Sequence, residues 1–151
     1  MTTAIDIRLT RDQRGLFDMT IGADGDFTQT PGMDTSLVMS LGVDARADGS
    51  EVAAPERRRG WWGNELDATG FEIGSKLWLL DQARKTQTTA NRGRDYAKKA
   101  LEWLVTDGYA DDVVVSPSFI SDGIALSIDI HRANSVTESL AYELWEHTNG
   151  V

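Results

Sequence analysis

The run Arg57-Arg58-Arg59-Gly60-Trp61-Trp62-Gly63 sets consecutive cations against two adjacent tryptophans. Cations beside stacking faces suit single-stranded nucleic acid. Tryptophan and arginine are also the residue types that anchor protein interfaces. Glycines on either side permit a third arrangement, in which the rings fold back over their own backbone as a clamp. Docking and clamping can coexist, with Trp61 turned inward and Trp62 outward, or the reverse. The net charge of -9 opposes non-specific attraction to nucleic acid or to an anionic membrane. Neither class of partner is expected.

Other chemistry is thinly represented. Cysteine is absent, which removes thiolate catalysis and every cysteine-based zinc site. His131 and His147 stand outside any metal-ligand spacing. Asp24-Gly25-Asp26 is followed by Thr28 and Thr30 rather than further acidic ligands, so it reads as a tight turn and not as a calcium loop. A glycosidase needs two carboxylates across a cleft. With 24 acids in the chain some pair can always be nominated; those near aromatics, Glu65 and Glu72, lie in a polar loop. No P-loop, G-x-S-x-G or G-x-G-x-x-G is present. No catalytic residue, cofactor or metal is assigned.

The elements that would hold these residues follow from periodicity. Ile5, Ile7 and Leu9, then Phe17, Met19 and Ile21, alternate with polar residues, as half-buried strands require. With turns at Asp12–Gly15 and Ala23–Asp26, the first thirty residues read as a small antiparallel meander. Asp34 is the expected N-cap of a helix carrying Leu37, Val38, Leu41 and Ala45 on one face. Residues 48–73 form a long polar loop with Pro55 and several glycines; its tryptophans argue for order. A second helix is expected around Leu77, Trp78, Leu80 and Ala83. A third covers about 89–106, with an Asp95–Lys99 pair and a stripe of Tyr96, Ala97, Ala100, Leu101, Trp103 and Leu104. Val113–Val115 begins a strand, and Ile124, Leu126, Ile128 and Ile130 mark another. For the last segment Leu140, Tyr142 and Leu144 fit a strand, while Val136, Leu140 and Leu144, after the capping pattern Ser135-x-x-Glu138, fit a helix. The class is α+β, in one domain of 151 residues. Charge is polarised: cations gather between Arg84 and Lys99, and after Lys99 only Arg132 offsets a series of carboxylates. Such a surface suits partners of opposite sign. The N-terminus lacks a basic segment followed by an apolar run, so a secretory signal is not expected.

Three blocks carry a resemblance. Arg58 to Gly63 (R-R-G-W-W-G), Ile73 to Leu80 (I-G-S-K-L-W-L-L) and Asp95 to Gly108 (D-Y-A-x-x-A-L-x-W-L-V-x-D-G) resemble, in order and spacing, the Mu-type phage baseplate family known as phage protein forty-six. That family is similar to wedge protein twenty-five of T-even phages. The Glu-Pro element of the T-even relatives has no counterpart in Leu77 to Arg84, so contacts tied to it are not carried over.

The resemblance implies a structural, non-enzymatic wedge domain over residues 1–151, with an ordered loop at 48–73 and a sheath-contacting sheet at 110–147. It implies six copies around a central hub-spike protein, contact with the larger baseplate wedge subunit, and strand addition by the tail sheath subunit. It also resolves the last segment toward strand. The partner-docking residues it suggests are Arg57, Arg58, Arg59, Trp61, Trp62 and Trp78; the sheath-contacting ones are Leu140, Tyr142, Leu144 and Trp145. The chain is expected in the virion tail baseplate after synthesis in the host bacterial cytoplasm. The alternatives are a tail-associated peptidoglycan-degrading enzyme using Glu65 or Glu72, and a nucleic-acid adaptor using the arginine run.

Overall fold

The computed structural model describes residues 6–11, 17–30, 32–53, 57–132 and 137–144. Expectations for Ile5, the turn at 12–15, Pro55, Ser135, Val136, Trp145 and His147 lie outside them. The class is α+β: short N-terminal strands, two helices with a short continuation, and a C-terminal three-stranded antiparallel sheet.

The N-terminal strands do not lie side by side as a meander. β1 (Asp6–Ile7) pairs with β4 (Gln29–Thr30), and β2 (Leu9–Arg11) pairs with β3 (Phe17–Met19). Ile21 bridges Phe27 across the Asp24-Gly25 turn. These three short antiparallel ribbons meet where the Arg8 amide donates to Thr28, and the Thr28 amide to Thr20. The Thr20 and Thr28 hydroxyls bond at the same junction, 3.2 Å apart. Alternation predicted the strands; it carries no information on which segment pairs with which.

Helix α1 (Asp34–Gly42) buries Leu37 and Leu41. Its N-cap is Met33 rather than Asp34, whose carboxylate accepts the Thr30 hydroxyl at 3.0 Å from the first helical turn. It ends at Gly42, short of Ala45, because residues 43–45 leave the helix to pair with a distant segment. The Ser75 amide donates to Val43 O at 2.8 Å, and the Ala45 amide donates to Ser75 O at 2.9 Å. The buried Ser75 hydroxyl caps Leu41 O at 2.5 Å. Gly74 allows the approach with φ +120°; a Cβ there would stand 2.6 Å from Val43 O.

The expected middle helix is a single 3-10 turn, Leu77–Leu80, which buries Leu77 and Leu80. In a 3-10 turn residues i and i+3 eclipse, so two leucines at that spacing reach the core without a longer helix. α2 (Gln87–Ala100) starts earlier than the apolar stripe suggested, because the Thr86 hydroxyl accepts the Thr89 amide as N-cap at 3.2 Å. It breaks at Leu101, and α3 (Glu102–Thr106) continues after the break. The Asp95–Lys99 pair does not form. Arg94 holds Asp95 at 2.8 Å, and Lys99 turns to Glu102.

β5 (Asp112–Ile120), β6 (Gly123–His131) and β7 (Glu138–Leu144) form the C-terminal sheet with β6 in the centre. The last segment is a strand, Leu126 lying opposite Tyr142. Val113, Val115, Ile124, Leu126, Ile128, Ile130 and Leu144 fill one face and meet Leu80, Ala90, Ala97, Leu101 and Leu104. Ala90, Gly93 and Ala97 form the buried edge of α2. A Cβ on Gly93 would sit 3.3 Å from Leu144 Cδ1, so the missing side chain lets helix and sheet close together.

The polar loop is tied at both ends. Ala47 donates to Arg58 O at 2.9 Å, and Arg58 Nε returns a bond to Ala47 O. Lys76 reaches Glu51 at 2.7 Å and Asp48 at 2.9 Å. The hydrogen bond from Lys76 holds the Asp48 carboxyl below the usual carboxylate range. The hydrogen bond to Glu51, opposed by partial burial, raises Lys76 above lysine's ordinary value.

Gly74→Ala adds backbone strain and a clash with Val43 O, and is expected to lower stability by about 2 kcal/mol or more, measured by urea denaturation. For the Lys76 tether, compare the urea midpoints of wild type and Lys76→Met across pH. Asp48 has a lowered folded pKa, so its contribution exists above the unfolded value of ~3.9 and fades as pH falls through the folded one. Lys76 has a raised folded pKa, so its contribution is complete below ~10.4 and fades as pH rises through the folded value. The wild-type advantage should therefore be flat between these limits and shrink beyond both.

Candidate protein-docking surface

The arginine run is divided between structure and solvent. Arg58 is occupied by Ala47. Arg59 adopts a positive φ of 46°, and its exposed guanidinium lies along neighbouring side chains. There it meets Asp44 at 3.2 Å and Asp81 at 3.5 Å, and lies 4.6 Å from the Trp78 ring centroid. Trp78 is itself fixed by its Nε1–H, which donates to Ala45 O at 2.8 Å. Arg57 is exposed. The run is thus not a continuous cationic strip of the kind a phosphate backbone would track.

The two tryptophans differ. Trp61 lies across Gly63, where a Cβ would meet its ring at 2.4 Å, and it is 38% exposed. Trp62 opens a 3-10 turn, Trp62–Glu65, and is 70% exposed. Their rings sit 5.9 Å apart at 50°. Leu66 beside them is 74% exposed. This apolar tip does not float. Asn64 clasps Ile73 with both ends of its amide, Nδ2 donating to Ile73 O at 2.9 Å and Oδ1 accepting from Ile73 N at 3.0 Å. Arg46 holds Glu65 at 2.9 Å, so one carboxylate of the glycosidase alternative is an exposed ion-pair member.

Behind the loop an open groove of about 730 Å³ runs between Arg46, Arg58 and Lys76 on one wall and Tyr96, Lys99, Trp103 and Asp107 on the other, with Phe71 and Glu72 at its rim. Trp103 anchors it: its Nε1–H donates to Ser40 Oγ at 3.1 Å, and its ring contacts Phe71 and Tyr109 edge-on at 6.5 and 5.7 Å. Leu66, Phe71 and Tyr109 are absent from the sequence-based set. Phe71 and Tyr109 each follow a glycine with positive φ, Gly70 and Gly108; a lone aromatic directly after such a turn, in a polar stretch, was the available signal.

At the other end of the molecule Leu140, Tyr142 and Leu144 turn toward the helical layer, Leu144 being buried. What β7 presents outward is its backbone edge. The two-residue turn Ser121-Asp122 makes Ile120 and Gly123 a closing pair. By antiparallel alternation, Ser139, Ala141 and Glu143 then direct their amides away from β6. The opposite edge differs, since the same alternation leaves Pro117 of β5 facing outward without an N–H. Among the described residues no helix is long and apolar enough to cross a membrane, and no cluster of metal-binding side chains occurs.

The family model described as Phage protein GP46 matches residues 33–137. "Baseplate protein gp46" of Escherichia phage Mu is 37% identical over 106 residues, covering 68% of this chain and 72% of that protein. "Mu-like prophage FluMu protein gp46" of Haemophilus influenzae is 37% identical over 86 residues, which span 57% of this chain and 57% of the relative. The matched span runs from the start of α1 to the start of β7 and so takes in the tied loop, the groove and most of the sheet. The chain belongs to the phage protein GP46 family.

Proposed function

We propose that this protein is a non-enzymatic, structural component of a phage tail baseplate, joining the hub, a larger wedge subunit and the sheath. The observation that carries the reading is the exposed Trp62–Leu66 tip on a loop fixed by Asn64, Arg46 and Arg59. A large apolar surface held rigidly in water is the mark of a docking site, and rigidity in advance lowers the ordering cost of binding. The baseplate name of the phage Mu relative supports the setting. The wedge subunit is the partner assigned to the Trp62 tip. In this reading Arg59 and Trp78 act within the fold, by holding the loop in shape for its partner.

The sheath is assigned to β7. An incoming strand would pair with the outward amides and carbonyls of Ser139, Ala141 and Glu143, the mode known as β-augmentation. Leu140, Tyr142 and Leu144 would act indirectly, by pinning β7 to the helices. Growth would be one-sided, because Pro117 interrupts the outer edge of β5.

Two experiments test these assignments. Trp62→Ala should keep the wild-type unfolding midpoint yet fail to enter baseplates, scored by protein content of purified particles. Trp61→Ala should instead lower stability, by about 1–3 kcal/mol for a half-buried aromatic. Normal incorporation of Trp62→Ala removes the tip from the interface. Ala141→Pro deletes an amide that faces away from β6, as Pro117 does on the far edge. The expected result is particles with this protein in the baseplate but without sheath; sheathed particles would refute the β7 assignment.

A further inference from the structure

The groove behind the Trp loop holds carboxylates that its own cations do not pair. Each cation in its wall is occupied: Arg46 by Glu65, Lys76 by Asp48 and Glu51, Lys99 by Glu102, and Arg58 by Ala47 O beside Asp48. Two carboxylates are not. Among the described residues Glu72 and Asp107 make no ion pair and no side-chain hydrogen bond, although both line the groove. Asp107 also caps the C-terminal end of α3, whose last turn contains no basic residue. The carbonyls there already make the potential negative, so an anion is disfavoured and a cation favoured. Phe71 and Trp103 line the same groove, and aromatic ring faces attract cations in their own right.

We propose that this groove receives a basic segment of a neighbouring protein. One arginine or lysine would lie over the Phe71–Trp103 pair within reach of Glu72 and Asp107, and an adjacent apolar side chain would fill the remaining volume. A groove of about 730 Å³ is the size of a side-chain or ligand pocket. The occupant is a different protein, since a second copy of a chain of net charge -9 would meet overall repulsion. The inference rests on the docking reading above and adds a second contact, in the groove, with the partner's chemistry specified.

The side-chain carboxylates of Glu72 and Asp107 make no bond that supports the fold, so neutralising them separates binding from stability. Glu72→Gln/Asp107→Asn should unfold at the wild-type urea midpoint or slightly above it. Its incorporation into particles should fall about tenfold, and wild-type protein should leave isolated baseplates at high salt. Since the chain has no cysteine, Thr106→Cys on the groove wall can carry a benzophenone maleimide as the one reactive site. Irradiated particles should yield a cross-link to another protein, in a peptide with lysine or arginine next to an apolar residue. Normal incorporation of the double variant overturns the proposal, as does a cross-linked peptide without a cation, a cross-link to a second copy, or none at all. Those failures leave the Trp62 reading standing. Absence of the wild-type chain from particles would overturn both.

Discussion

The structure depends on one seam, where Val43 to Ala45 pairs with Gly74 and Ser75. It joins segments some thirty residues apart and ends α1 one turn before its apolar pattern would. Closing a loop of that length has an entropic cost that rises slowly with length, and the seam offsets it with two backbone bonds and a buried hydroxyl on Leu41 O. Everything on the loop inherits its position from this point. Trp78 bonds Ala45, the next residue along, and Arg59 stacks on Trp78 while reaching Asp44. Without Gly74 at φ +120° the two strands could not approach, and the tryptophan pair would have no fixed base.

The second organising fact is the small-residue edge of α2. Ala90, Gly93 and Ala97 let the helix rest closely on the sheet, where a Cβ at Gly93 would stand 3.3 Å from Leu144 and 3.5 Å from Leu80. Leu144 thus packs β7 against the helix from the sheet's inner face, while among the described residues β6 is its one pairing strand. The two edges of the sheet consequently differ. One is interrupted by proline; the other is packed from beneath and keeps its outward amides and carbonyls.

Much of this was legible in the sequence where a pattern is local. The alternation of Ile124 to Ile130 fixed β6 and its buried face, and the Leu37–Leu41 spacing fixed α1. Non-local pairing was not legible. The N-terminal ribbons converge at Thr20 and Thr28 rather than stacking, and nothing in an alternating pattern distinguishes the two. The middle helix failed because four apolar residues in a row satisfy a helix and a 3-10 turn alike. Asp95–Lys99 failed because each residue had a nearer partner, Arg94 and Glu102. For the candidate surface, the Arg–Trp run was conspicuous, but its division of labour was not. Whether an arginine is engaged within the chain depends on carboxylates far away in sequence, here Asp44 and Asp81.

That division separates the residues that shape the loop from those that can meet a partner. Arg58, Arg59, Asn64 and Trp78 spend their hydrogen-bonding groups inside the chain, which leaves the Trp62 ring and Leu66 apolar, exposed and fixed. A flexible loop with the same composition would lose side-chain and backbone freedom on docking, roughly 0.5–1.5 kcal/mol for each immobilised side chain. Here most of that ordering accompanies folding. The unusual density of arginine and tryptophan is therefore explained mainly by the need to hold a long polar loop still, and only at Trp62 and its neighbours by contact with another molecule.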